Sequence, residues 1–72
     1  MENKQAVCDA LCETLKLTRG FTDLQKIEYT KDAYGEYAYV VGPTYSYKVN
    51  VTLDSGIAMI KDILRKVGWL ST

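Results

Sequence analysis

The sequence predicts an α+β fold in the order α-β-β-β-α, a three-stranded antiparallel meander with two helices packed on one face. Three observations predict it. Apolar residues recur at helical spacing near the start (Val7, Leu11, Leu15), alternate strictly with polar ones in the middle (Tyr45 to Leu53), and return to helical spacing at the end (Ile57, Ile60, Ile63, Leu64, Val67). Short connections between the strand-like runs favour hairpins, and hairpins make neighbours antiparallel.

The first helix is expected from Lys4 to Leu17, with Asn3 as its cap and Cys8, Ala10 and Cys12 flanking the Val7-Leu11-Leu15 stripe. Arg19-Gly20 supplies a basic residue and a glycine able to take positive φ, a stop signal. Phe21 and Leu24 then anchor the connection to the core. Cys8 and Cys12 stand i, i+4 on one helical face, a spacing that suits a buried stripe of small apolar residues better than a disulfide.

The first strand runs from Leu24 to Thr30, where Gln25, Ile27 and Tyr29 alternate with Lys26, Glu28 and Thr30, and ends in a turn at Lys31-Asp32-Ala33-Tyr34-Gly35. The second spans Glu36 to Val41 and stops at Gly42-Pro43. In the third, Tyr45, Tyr47, Val49, Val51 and Leu53 alternate with Ser46, Lys48, Asn50 and Thr52, which implies one buried face and one wet face. Asp54-Ser55 opens the last helix, whose apolar face runs from Ile57 to Val67. Gly68 closes it, and Trp69 and Leu70 are expected to fold back onto the core.

The chain has 72 residues, 47% of them hydrophobic and 25% charged, which fits one small globular domain over residues 1–72. No stretch approaches the roughly 20 apolar residues that a bilayer span needs, and the start reads as no secretory signal, so a cytoplasmic address is expected. Nine Lys and Arg balance nine Asp and Glu, which removes the long-range attraction that dominates binding to phosphate backbones and makes nucleic acid an unfavoured partner.

Catalysis is not expected. The chain has no His to serve as a base, its thiols sit on a buried stripe, and Asp9, Glu13, Asp23, Glu28, Asp32, Glu36, Asp54 and Asp62 read as solvent-facing, turn or cap residues. No cofactor or metal is implied. Ser55-Gly56 at a helix start reads as a cap, and Asp54 beside it would repel a phosphate.

The six tyrosines, Tyr29, Tyr34, Tyr37, Tyr39, Tyr45 and Tyr47, are the least ordinary feature. If the Gly42-Pro43 turn pairs Val40 with Tyr45 or Tyr47, then Ala38 and Val40 join the core, and Tyr37, Tyr39 and Val41 form an outer patch beside Ser46 and Lys48; a three-residue loop reverses this. The first register is favoured, because it sets small residues against large ones. Such a patch reads as cross-strand packing, as a contact for a protein partner or a second copy, or as a platform for unpaired bases. Tyr37, Tyr39, Val41 and Lys48 are therefore the candidate binding residues.

The run from Gly42-Pro43 through Tyr45, Tyr47, Val49 and Val51, followed by a helix, resembles the double-stranded RNA-binding domain in outline. In that family the Gly-Pro turn precedes the middle strand, and a lysine cluster opens the last helix; here the turn precedes the third strand and Ser55-Gly56-Ile57-Ala58-Met59 occupies the helix start. The resemblance implies shared topology and no function. The sequence thus reads as a non-enzymatic cytoplasmic interaction or regulatory module. A nucleic-acid binder using the tyrosine face, or Lys61, Arg65 and Lys66 on the last helix, is the alternative.

Overall fold

A computed structural model describes residues 3–68 and has the expected order: α1 (Lys4–Leu15), β1 (Lys26–Lys31), β2 (Glu36–Val41), β3 (Ser46–Asn50) and α2 (Gly56–Lys66). The expected fold-back of Trp69 and Leu70 lies outside the described residues. The three strands form one antiparallel sheet in the order β1-β2-β3.

Asn3 caps α1 as its side chain predicts, its Oδ1 accepting from the Ala6 amide at 3.0 Å. The helix stops at Leu15, two residues short of the expected Leu17. There the Thr18 hydroxyl and amide both donate to the Leu15 carbonyl, at 2.6 and 2.9 Å, and satisfy the end locally. Gly20 takes positive φ as expected, but beyond the helix rather than at its cap.

Val40 pairs with Tyr47 and Ala38 with Val49, so the register is the favoured one. Ala38 and Val40 are fully buried, while Tyr37, Tyr39 and Val41 occupy the opposite face, which neither helix covers. The core unites Cys8, Leu11, Cys12 and Leu15 of α1, Met59 and Ile63 of α2, and Ile27, Ala38, Val40, Val49 and Val51 from one face of the sheet. Gly42 is required by a close approach: a Cβ there would lie 2.2 Å from Cζ of Tyr45, whose ring folds back over the turn.

Two apolar expectations are corrected. β3 ends at Asn50, whose Oδ1 accepts from the Thr52 amide at 3.0 Å and turns the chain, so Leu53 leaves the alternation and is exposed. In α2 the buried stripe runs through Gly56, Met59 and Ile63 with Ile60, Leu64 and Val67 beside it, which leaves Ile57 turned to solvent. Ser55 caps this helix, accepting from the Ala58 amide at 3.2 Å.

Candidate functional site

Glu36 is the first residue of β2 and shares the inward side with Ala38 and Val40. A carboxylate there must be paired, because an isolated buried charge is costly. It was expected at the surface; it is 7% exposed instead. Lys4 reaches it from the first turn of α1 at 2.5 Å, and the Tyr29 hydroxyl donates to the same oxygen, Oε1, at 2.5 Å. A lysine in the first turn opposes the helix dipole, and the Glu36 partner accounts for its presence. The Lys4 and Tyr29 hydrogen bonds, followed by the Leu53 amide, hold the Glu36 carboxyl down at about 2. The same bonds to Glu36 raise the pKa of Lys4 and of Tyr29.

The second oxygen, Oε2, accepts from the Leu53 amide at 2.9 Å. The Glu36 backbone completes the clamp: its amide donates to the Thr52 hydroxyl at 3.0 Å and its carbonyl accepts from the Val51 amide at 2.9 Å. Leu53 sits at φ +63, the one non-glycine residue at positive φ among the described residues. For a leucine that conformation is strained. The outcome is a side chain 91% exposed.

Leu53 is not isolated. Tyr34, 91% exposed, lies in the β1–β2 turn, where Asp32 Oδ1 accepts from the Tyr34 and Gly35 amides at 2.8 and 3.1 Å. A Cβ on Gly35 would lie 2.6 Å from the Thr52 hydroxyl, so this turn abuts the Thr52-Leu53 loop. Ile57, 69% exposed, follows in the first turn of α2. Tyr34 and Leu53 therefore occupy the same end of the sheet, with Ile57 in the first turn of the helix that follows, while Leu17, the other exposed large apolar residue among those described, lies just past α1. Nothing in the periodicity marks the first three as a group; the one available signal was Asn50 and Asp54 bracketing Leu53, a turn signature that breaks the strand pattern.

Beside this loop Asp54, expected at the surface as a cap residue, is half-buried. A hydrogen bond with the Asp62 carboxyl and burial push its pKa up to about 6. Its Oδ2 has no hydrogen-bond partner among the described residues.

The residues singled out from the sequence lie together on the helix-free face. Lys48 is paired with Tyr39 across the strands, and its Nζ stands 4.3 Å from the centre of the Tyr37 ring. Tyr37, Tyr39 and Val41 are each half-buried, flanked by the rows that β1 and β3 contribute. This face is closed by its own neighbours more than the Leu53 end is. Lys48 also meets Arg65 and Lys66, two of the three basic residues noted on the last helix, across a groove of about 470 Å³. Lys61 does not line that groove.

No family model, curated protein or solved structure matches the chain. Among the described residues no group of three or more His, Cys, Asp or Glu could hold a metal ion, and no helix is long and apolar enough to cross a membrane.

Proposed function

We propose that this protein is a small non-enzymatic interaction module of the cytoplasm, and that a protein partner docks on the end of the sheet formed by Tyr34, Leu53 and Ile57. The single observation that carries the reading is Leu53: a leucine in the left-handed region, clamped by a buried carboxylate, with its side chain in solvent. A fold selected for stability alone would place glycine there, and backbone strain that persists beside an exposed apolar group marks a contact surface.

Leu53→Gly separates the two roles of this position. Immobilised parent and variant are exposed to the same native lysate, and the retained proteins are compared by mass spectrometry. The reading expects proteins held by the parent to be lost from a variant that melts no lower. Identical retained sets would overturn it.

A further inference from the structure

The two edges of the sheet are finished differently. On β1 two of the outward backbone groups are occupied by α1: the Gln5 side chain accepts from the Tyr29 amide at 2.8 Å and donates to the Ile27 carbonyl at 3.2 Å. On β3 the pairing with β2 is closed by Gly42 to Tyr45 and by Val51 to Glu36, so Tyr45, Tyr47, Val49 and Val51 direct their backbone groups toward β2. Ser46, Lys48 and Asn50 direct theirs outward. No backbone partner for them occurs among the described residues.

Along this free edge runs the groove between β3 and the second half of α2, lined by Lys48, Val49, Asn50, Asp62, Arg65 and Lys66. It carries three cations and one carboxylate. Asp62 stands 3.8 Å from Arg65, and neither Lys48 nor Lys66 has an ion-pair partner among the described residues. A second copy is a poor occupant, since antiparallel pairing of two β3 edges brings two Lys48 side chains and two Arg65-Lys66 pairs together.

We infer that the β3 edge takes an extended acidic peptide segment as a fourth strand, its backbone pairing with Ser46, Lys48 and Asn50 and its carboxylates facing Lys48, Arg65 and Lys66. The inference rests on the interaction-module reading and names the partner's chemistry, but on a surface distinct from the Leu53 end.

The probe is a fluorescein-labelled nine-residue peptide alternating Thr and Glu, compared with its Thr/Lys counterpart and with a version N-methylated at its central Thr and Glu residues, which keeps the charge and removes the pairing N–H groups in either strand direction. Expected are at least tenfold tighter binding of the first peptide by anisotropy, slowed hydrogen exchange at the Lys48 and Asn50 amides, and at least a tenfold loss in Arg65→Gln with Lys66→Gln at an unchanged melting midpoint. Absence of binding, equal binding of the N-methylated peptide, protection confined to other amides, or tighter binding of an oligothymidine of similar length would overturn it. Leu53→Ser is run in parallel. If that variant loses the parent's partners while the Thr/Glu peptide binds neither protein, the edge inference fails and the interaction-module reading stands.

Discussion

The Glu36 carboxylate accepts the Leu53 amide at 2.9 Å, and through that bond the first residue of β2 fixes the conformation of a loop beyond the end of β3. Glu36 and a second carboxyl at this end of the sheet, Asp54, respond to pH in opposite directions. The carboxyl of Glu36 is held at about 2, below the value it has when unfolded, so its contribution is present above about pH 4.5 and is lost as pH falls toward 2. That of Asp54 is raised to about 6 by Asp62 and burial, with Lys4 opposing and Glu36 adding to the shift; its contribution is complete below its unfolded value of 3.8 and is lost as pH rises through 6. Denaturation midpoints should therefore fall on the acid side in the parent, with Glu36→Gln flattening that limb at a lower overall midpoint. Asp54→Asn should remove the decline between pH 4 and 7. An Asp54→Asn profile parallel to the parent's across that range would contradict the assignment.

Gly42 and Tyr45 are coupled by contact. Gly42→Ala drives a methyl into the Tyr45 ring, which must swing away and give up its bond to Asp23 at 3.1 Å. A loss of about 1 to 3 kcal/mol is expected by chemical denaturation. Tyr45→Ala in the same chain should make the added methyl nearly silent, and a full penalty in that background would show that backbone conformation rather than the ring excludes alanine.

The two faces of the sheet differ in what they tolerate. Val51→Ala removes fully buried volume and should cost roughly 1 to 3 kcal/mol. Tyr37→Ser with Tyr39→Ser should leave the fold intact, at a cost of about 0.2 to 1 kcal/mol for each lost cross-strand pair. Circular dichroism and urea titration read both, and unfolding of the tyrosine double variant would mean that the helix-free face is interior.

Cys8 and Cys12 are free and buried, and burial pushes the Cys8 thiol up to about 11 and raises Cys12 as well. Both should resist a thiol reagent at neutral pH until denaturant is added. Rapid labelling of the native protein would show that α1 opens far more readily than its packing implies.

The parts of the fold written in local periodicity were legible in the sequence. Helical spacing marked α1 and α2, alternation marked β3 up to Val51, and size matching across the Gly42-Pro43 turn gave the correct register. What was not legible depends on contacts distant in sequence. Glu36 looks like any strand-end carboxylate until Lys4, 32 positions away, and Tyr29 converge on it. Leu53 continues the alternation perfectly, and only the hydrogen bonds that the Thr52 and Leu53 amides donate to Asn50 and Glu36 remove it from the strand. The exposed end and the open β3 edge therefore emerge from tertiary structure, whereas the tyrosine face could be named from register alone.

Equilibrium denaturation of Leu53→Gly tests the central claim most directly. If Leu53 is kept for a partner at the expense of backbone strain, glycine relieves the strain at φ +63 and offsets its own entropy cost, and the midpoint should equal the parent's or exceed it by up to about 1 kcal/mol of stability. A clearly lower midpoint would mean that the leucine side chain supports the fold itself, and the partner-docking account of this end of the sheet would be contradicted.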